Sequence, residues 1–306
     1  MSKNPIITFL NNIRYLFRYN IKEMYRRQSH FQPAQPLTLE QILALTQKIK
    51  YETKGDWDNI VIPKTKNPME TCLELANSEK SIIRCADGEF MLMEGKDIPF
   101  QKYHPDLAEK LKKIFKTNDP NLMIGGPTEY HMPPDHLRRY VAEWMYLSGG
   151  DIYARLKDLY NPDTTYYAGG ISQIFATREN YDYEKHFNLL RQIWNNKKIT
   201  VLTGDWIQDK IEHNIFDNAA SINYIYGPSK DAYDEYENLK AQMEKVDKDN
   251  ILIFAIGPAG KAIAYDLYNM GYRVLDMGHT IKDYDAYKKQ LEMDTDGGFK
   301  FFAPDA

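Results

Sequence analysis

Short apolar runs of strand length alternate with longer segments of helical pattern through most of the chain. We predict strands at Ser81–Cys85, Asn121–Ile124, Thr164–Ala168, Ile199–Thr203, Ile222–Tyr226, Ile251–Ile256 and Arg273–Asp276. We predict helices over residues 67–78, 105–117, 135–148, 183–196, 230–246 and 259–270. Because strands that alternate with helices form parallel sheets, we expect an α/β fold with a mostly parallel sheet and helices on both faces. Ligands of such sheets bind beyond the carboxyl ends of the strands, which directs attention to the residues that follow each strand.

The first thirty residues follow a different pattern, that of a basic amphipathic helix. Apolar side chains recur there at helical spacing, at Ile6, Phe9, Leu10, Ile13, Leu16, Phe17 and Ile21. Six basic side chains stand against one acidic residue, and Arg14 and Arg18 interrupt the apolar stretch. This part contains no uninterrupted run of about 18 apolar residues, which argues against a transmembrane helix. The pattern suits either an anionic membrane surface or packing on the domain or on a second subunit.

These patterns divide the chain into two parts. Residues 1–36 form a basic amphipathic segment and a linker, and residues 37–306 form one domain. No small-residue cleavage site follows the basic segment, so we do not expect a secretory signal. We therefore expect a cytoplasmic protein, either unattached or peripheral on the inner face of the cell membrane, and association into a homo-oligomer stays open.

Composition narrows the class of protein further. The 306 residues are 43% hydrophobic and 27% charged, which is typical of a globular chain and not of a disordered one. The net charge of −4 excludes a general polyanion binder, and we expect no nucleic-acid partner. Two cysteines, Cys72 and Cys85, provide neither a disulfide framework nor a four-ligand zinc site. Motifs of serine hydrolases, P-loop kinases and zinc proteases are absent from the sequence.

The segment that follows the first predicted strand contains two carboxylates around a glycine. We expect Asp87 and Glu89 to be two positions apart on an extended segment, where their side chains would point the same way. Gly88 between them would let a ligand approach closely, and Arg84 could offer a positive charge to phosphate. Two hard oxygen ligands suit Mg²⁺ or Mn²⁺ with a diphosphate completing the shell. The alternative is a solvated turn that caps the next helix.

Three other strand ends carry candidate chemistry. The first two belong to the strands before and after one predicted helix. The turn of Gly257, Pro258, Ala259 and Gly260 precedes a predicted helix, whose N-terminal N–H groups could bind phosphate; the alternative is a turn needed only for packing. The strand after that helix ends at Asp276, an acidic residue that could face the same ligand.

Two further titratable residues also follow predicted strands. His279 comes just after the strand that ends at Asp276, and Asp205 comes just after Ile199–Thr203. Either side chain could contact a sugar or act as a general base. The alternatives are a structural hydrogen bond for His279 and a helix cap for Asp205.

Several of these segments, in this order, resemble the bacterial glycosyltransferases of the GT-D fold, once catalogued as a domain of unknown function. Ile83–Glu89 resembles the Arg-x-Gly-Asp-Gly-Glu signature of that family, with Cys85-Ala86 where an aromatic-Gly pair is usual. Ile98-Pro-Phe-Gln-Lys-Tyr103 is similar to the stretch that follows the signature. Later landmarks are matched by Leu202–Asp205, Phe216–Ala219, Ile256–Pro258, Ala264–Leu267 and Asp276–His279.

The resemblance, over roughly residues 65–290, implies a Rossmann-like single domain that uses a nucleotide sugar, a UDP-hexose. It also implies that Asp87 and Glu89 hold the divalent metal, Mn²⁺ or Mg²⁺. The acceptor would be a glycan, lipid-linked or protein-linked molecule in surface polysaccharide or glycoconjugate synthesis. Two alternatives stay open: another nucleotide-dependent enzyme, such as a methyltransferase or dehydrogenase, and a catalytically silent scaffold for another transferase.

Overall fold

A computed structural model describes residues 63–128, 136–138, 140–142, 159–207 and 210–293. Eight strands in this part of the chain form one sheet in the order β1-β4-β3-β2-β8-β7-β5-β6. Every neighbouring pair in the sheet is parallel. The strands are β1 Lys64–Thr65, β2 Ser81–Arg84, β3 Leu122–Gly126, β4 Thr165–Ala168, β5 Lys198–Gly204, β6 Ser221–Gly227, β7 Ile251–Ala255 and β8 Val274–Asp276.

Helices cover both faces of this sheet. They are α1 Pro68–Ala76, α2 Asp87–Met93, α3 Pro105–Phe115, α4 Ile174–Thr177, α5 Tyr183–Trp194, α6 Tyr236–Met243, α7 Gly257–Asn269 and α8 Thr280–Lys288. Successive strand residues point to opposite faces, so Ile82 and Ile83 belong to two different cores. Helices α2, α3, α6 and α7 pack with Ile83, whereas α1, α4, α5 and α8 pack with Ile82.

Local signals explain where several helices begin. Helix α1 starts with a capping box, in which the Asn67 side chain accepts from the Glu70 N–H and the Glu70 carboxylate accepts from the Asn67 N–H. Helix α5 begins after Asp182, whose carboxylate accepts from the Lys185 N–H at 3.0 Å. A proline in the first turn opens α1, α3 and α7, where its missing N–H costs no hydrogen bond.

The sequence-based prediction of an α/β fold with a parallel sheet and helices on both faces is confirmed, and all seven predicted strands are present. The two-residue edge strand β1 and the helices α2, α4 and α8 were not predicted. Residues 230–246 form a 3₁₀ turn at Ala232–Glu235 followed by the shorter α6, so the single long helix predicted there is wrong.

Two predictions fall outside the part of the chain that the structure describes. They are the N-terminal amphipathic segment with its linker, residues 1–36, and most of the helix predicted over residues 135–148. Within the described ranges, none of the helices combines the length and the apolarity needed to cross a membrane.

Candidate functional site

The candidate residues gather at one edge of the sheet. They follow four neighbouring strands, β2, β8, β7 and β5, whose carboxyl ends meet at that edge because the strands are parallel. Asp87 and Glu89 follow β2, Asp276 ends β8 with His279 just beyond it, Gly257 follows β7, and Asp205 follows β5. A ligand beyond this edge would therefore meet segments that lie far apart in sequence.

Arg84 and Asp276 form the centre of this edge. The Arg84 backbone N–H donates to Asp276 Oδ2 at 3.0 Å, and its Nη2 donates to Oδ1 at 3.1 Å. Its Nε donates to the Asp276 carbonyl at 2.7 Å, while Nη1 donates to the Gly169 carbonyl and to Ser172 Oγ. Four of the five guanidinium donors thus bind protein acceptors. The prediction that Arg84 holds phosphate stays a prediction, with one guanidinium N–H outside these bonds.

Glu89 and Lys261 extend the ionic network. Lys261 Nζ lies 3.2 Å from Glu89 Oε1 and 3.5 Å from Asp276 Oδ2, and Glu89 Oε2 accepts from the Ala86 N–H at 2.7 Å. Arg84, Glu89, Lys261 and Asp276 are each less than a tenth exposed. Two cations and two anions therefore balance in a buried cluster, which we call the ionic quartet.

The quartet keeps Asp276 and Lys261 ionised in spite of burial. Burial by itself would raise the pKa of Asp276, but the charges of Arg84 and Lys261 outweigh it and hold that pKa below its usual range. Burial would likewise lower the pKa of Lys261, but Asp276 and Glu89 outweigh it and raise that pKa. The cluster is thus a fixed set of charges beneath the strand ends.

Asp87 and Glu89 occupy different environments. The expectation of an extended segment is wrong, because residues 87–93 form helix α2 with Asp87 and Glu89 in its first turn. Positions two apart on a helix are rotated by about 200°, so Asp87 is exposed while Glu89 is buried in the quartet. The Glu89 carboxylate closes the helix start by accepting from the Ala86 N–H, which is how this short segment becomes helical.

A divalent metal ion fits Asp87 better than Glu89. Mg²⁺ in nucleotide sites takes one or two carboxylates and fills its shell with phosphates and water, and an exposed carboxylate at an open strand edge meets that need. Both oxygens of Glu89 already face protein partners. Within the described residues, no group of three or more His, Cys, Asp or Glu side chains could hold a metal. The assignment of both residues as ligands stays a prediction.

The turn after β7 has the form expected of a phosphate-binding helix start. Gly257 has a φ of +66°, in the left-handed region that favours glycine, and it opens α7 with Pro258 directly behind it. Pro258 and Ala259 are buried. A Cβ on Gly260 would lie 2.9 Å from Ile256 Cγ2, so Gly260 is needed for packing. The contact with a nucleotide stays a prediction for all four residues of the turn.

Two glycines leave room for Arg84. A Cβ on Gly125 would lie 2.6 Å from Arg84 Cγ, and a Cβ on Gly278 would clash with Arg84 Nη2.

Asp205 and His279 are exposed residues at the same edge. Desolvation of the His279 imidazole, together with the charges of Lys282 and Arg84, lowers the pKa of His279 to about 3. For Asp205 and His279, the contact with a sugar or the role as general base stays a prediction.

Lys261 was not among the residues predicted from the sequence, although the sequence contains a signal for it. Lys261 follows the Gly257–Gly260 turn directly and precedes Ala262, Ile263 and Ala264, so it is the one charged side chain in an apolar stretch. A buried charge has to be paired, which would have indicated a carboxylate opposite it. Ser172 was also missed, and its short hydrophilic side chain offers no comparable signal.

Comparisons with known proteins agree with this geometry. The sequence profile of the family described as "Glycosyltransferase GT-D fold" matches residues 82–301. The "Probable glycosyl transferase Gly" of Streptococcus gordonii is 26% identical over 226 residues, which are 68% of this chain and 30% of that protein. "Glycosyltransferase GlyD" of Streptococcus pneumoniae serotype 4 is 27% identical over 232 residues, 72% of this chain and 27% of that protein. The chain thus spans less than a third of the length of these relatives.

Solved structures show the same fold. One, described as "The highly conserved domain of unknown function 1792 has a distinct glycosyltransferase fold", superposes with a TM-score of 0.69 at 24% identity, covering 80% of this chain and 86% of that one. Another, "A New Glycosyltransferase (DUF1792) from Streptococcus sanguinis", gives a TM-score of 0.70 at 24% identity over 75% of this chain and 86% of that one. The profile match covers more than two thirds of the sequence and includes all four strand ends of the site. The resemblance seen in the sequence is therefore confirmed, and the chain belongs to the family of glycosyltransferases with the GT-D fold.

Proposed function

We propose that this protein is a metal-assisted glycosyltransferase that moves a sugar from a UDP-linked donor to a glycan, lipid-linked or protein-linked acceptor. One observation carries the proposal: an exposed carboxylate, Asp87, and the glycine turn that opens α7 lie at the same edge of the sheet. A nucleotide sugar presents a diphosphate, which needs both a cation and N–H donors. Family membership and the names of the relatives support the same reaction class.

Each group of residues has its own part in this proposal. Asp87, with Glu89 as the second predicted ligand, would hold Mn²⁺ or Mg²⁺, and such an ion stabilises the negative charge that develops on a leaving diphosphate. The N-terminal N–H groups of α7 would add donors that are already oriented, so they need no reorganisation as charge develops. The ionic quartet would keep β2, β8 and the start of α2 in fixed positions.

The acceptor hydroxyl needs a base within hydrogen-bond reach. Asp205 and His279 are exposed at the carboxyl edge, one on each side of the turn after β7 in the strand order. We propose that one of them contacts the transferred sugar or removes the proton from the acceptor. Asp205→Asn and His279→Gln would separate the two, since loss of the base lowers kcat more than it weakens donor binding.

The decisive experiment measures release of UDP from UDP-sugars by the purified protein, with and without Mn²⁺. We expect metal-dependent turnover that Asp87→Ala abolishes without a change in melting temperature. Asp163→Ala is a matched control, because Asp163 is equally an exposed aspartate but precedes β4 and so lies toward the opposite edge. Full turnover in Asp87→Ala would refute the assignment of Asp87. Absence of turnover and of nucleotide binding in wild type would favour the scaffold alternative.

The location of the acceptor is proposed from the sequence alone. The six basic residues among residues 1–30 would hold a cytoplasmic protein on the inner face of the membrane, where lipid-linked acceptors are found. Replacing Arg14 and Arg18 by Glu in the full chain should release it from vesicles that contain anionic lipid. Unchanged binding to those vesicles would contradict a membrane role and favour packing of this segment on protein.

A further inference from the structure

A tight turn after α2 presents an exposed aromatic ring to solvent. Ile98 and Gln101 close the turn with two backbone hydrogen bonds, of 3.0 and 3.2 Å, and Pro99 and Phe100 form its tip. The Phe100 side chain is 37% exposed, although it is one of the most apolar side chains available. Exposed rings of this kind are ordinary when they are scattered on mobile loops, so the question is how firmly this one is held.

Buried polar contacts hold the turn in place. Gln101 is 1% exposed, and its side-chain oxygen accepts from the Tyr233 N–H at 3.1 Å. The Phe100 carbonyl accepts from the Asp231 N–H at 2.9 Å, and Asp231 Oδ1 accepts from the Lys102 N–H at 2.8 Å. The backbone on both sides of the ring is thus fixed to the segment before α6. These hydrogen bonds hold the backbone so that the Phe100 ring stays exposed. The ring would therefore lose little conformational freedom on binding a ligand.

The turn also touches both motifs of the candidate site. A Cβ on Gly88, between Asp87 and Glu89, would lie 3.3 Å from Ile98 Cδ1. A Cβ on Gly257, the first residue of α7, would lie 3.6 Å from the Phe100 ring. The ring therefore lies against the glycine turn where we propose the diphosphate to bind. A nucleoside diphosphate bound there would bring its base within reach of a flat apolar surface.

We propose that the exposed face of Phe100 stacks on the base of the nucleotide donor. This inference rests on the proposed function, because it needs the diphosphate at the start of α7. A phenylalanine has no hydrogen-bonding group, so it suits the apolar face of a base better than the hydroxyl groups of a sugar. Stacking of this kind tolerates any base, so Phe100 would add affinity without choosing uracil over other bases.

The test compares a ligand that has a base with one that lacks it. Calorimetry in the presence of Mn²⁺ would measure the Kd of UDP and of inorganic pyrophosphate for wild type, Phe100→Ala, Phe100→Trp and Tyr103→Ala. Tyr103 is a matched control, since it is also 37% exposed in the same loop but its ring lies near Gly95. We expect Phe100→Ala to weaken UDP binding by about 5- to 150-fold. Pyrophosphate binding should stay unchanged, and Phe100→Trp and Tyr103→Ala should bind UDP as wild type does.

Each other outcome overturns a distinct statement. If wild type binds UDP and Phe100→Ala binds it equally well, the stacking is refuted and the proposed function stands. Equal weakening of UDP and pyrophosphate would mean that the substitution acts through the shape of the turn, which also refutes stacking. If wild type binds neither UDP nor pyrophosphate, both the stacking and the proposed function fail.

Discussion

Arg84 binds three separate oxygen atoms of Asp276, one from its backbone and two from its guanidinium group. The two residues are 192 positions apart in sequence and end neighbouring strands, β2 and β8. Their contact therefore links the first and the last strand, in chain order, of the candidate site. Because both side chains are buried, the stability of this link depends on every polar group having a partner more than on the attraction of two charges.

Arg84→Lys should destabilise the protein strongly, although it keeps the charge. A lysine cannot reproduce the fork of donors that binds Asp276, Gly169 and Ser172, so buried acceptors would lose their partners. We expect a loss of about 3 to 5 kcal/mol in the free energy of unfolding, measured in urea. Lys198→Met is the control, because its ion pair with Asp249 is more than half exposed on both sides and should contribute little to stability. If Arg84→Lys lowers the free energy of unfolding as little as the control does, the contact between Arg84 and Asp276 does not stabilise the fold.

Gly278→Ala should cost more than Gly271→Ala. Both glycines have positive φ, +41° and +89°, so alanine is strained at either position, by about 1 to 3 kcal/mol. Only at Gly278 would the new Cβ also clash with Arg84, whereas at Gly271 its nearest neighbour is the flexible end of Lys248 at 3.7 Å. We expect Gly271→Ala to keep UDP binding and Gly278→Ala to weaken it together with stability. Equal unfolding free energies would indicate that backbone strain alone decides both.

Strand ends could be predicted from sequence because each is a local event. The run Ile251–Ile256 stops at Gly257, and that break is visible without a structure. The helical start of α2 could not be read in the same way. It depends on Phe90, Leu92 and Met93 being buried and on Glu89 folding back to the Ala86 N–H, and the first of these is a tertiary property.

Partners across the fold are the part that sequence spacing does not reveal. Glu89 and Lys261 are 172 positions apart, and nothing in either segment indicates the other. For the same reason the sequence predicted that Glu89 and Asp87, which are close in sequence, bind the same metal ion. Helical rotation separates these two carboxylates. The parallel sheet places β8 beside β2 and β7 beside β8, although both strands are far from β2 in the chain.

Asp283 should make stability fall as the pH rises toward neutrality. Burial raises the pKa of Asp283 to about 7, although its carboxylate accepts from the N–H groups of Phe175 and Ala176 and Arg138 lies near. The unfolded carboxyl titrates near its ordinary value of 3.8, so the folded protein keeps a proton that the unfolded chain loses. The stability contributed by this group is complete below about pH 4 and is lost as the pH rises through 7.

Asp283→Asn tests this pH dependence. His186 acts in the opposite sense, because burial lowers its pKa to about 4 and stability from that group rises with pH up to its ordinary value of 6.5. The difference between the urea stability curves of wild type and Asp283→Asn from pH 4 to 8 isolates the carboxyl. We expect the free energy of unfolding of wild type to fall steadily relative to that of Asp283→Asn as the pH increases toward 7. A difference that is constant with pH would show that Asp283 titrates outside this range.

Asp87 and Glu89 should respond to substitution in different ways. Asp87 is exposed, so Asp87→Asn should change the free energy of unfolding by no more than about 0.5 kcal/mol while it removes Mn²⁺-dependent UDP binding. Glu89→Gln should cost about 3 to 5 kcal/mol, because the Lys261 ammonium stays buried with one carboxylate fewer beside it. Urea unfolding and calorimetry on the same variants would separate the two effects.

A double variant decides whether Glu89 acts through Lys261. If the loss in Glu89→Gln arises from the unbalanced ammonium, then Lys261→Met in that background should restore part of the stability, since no net charge is left from the pair. Mn²⁺ affinity then provides the second readout. If the stabilised double variant still binds UDP with Mn²⁺ as wild type does, Asp87 holds the ion without Glu89. If binding stays lost while stability returns, Glu89 is itself a ligand and must leave Lys261 to reach the metal.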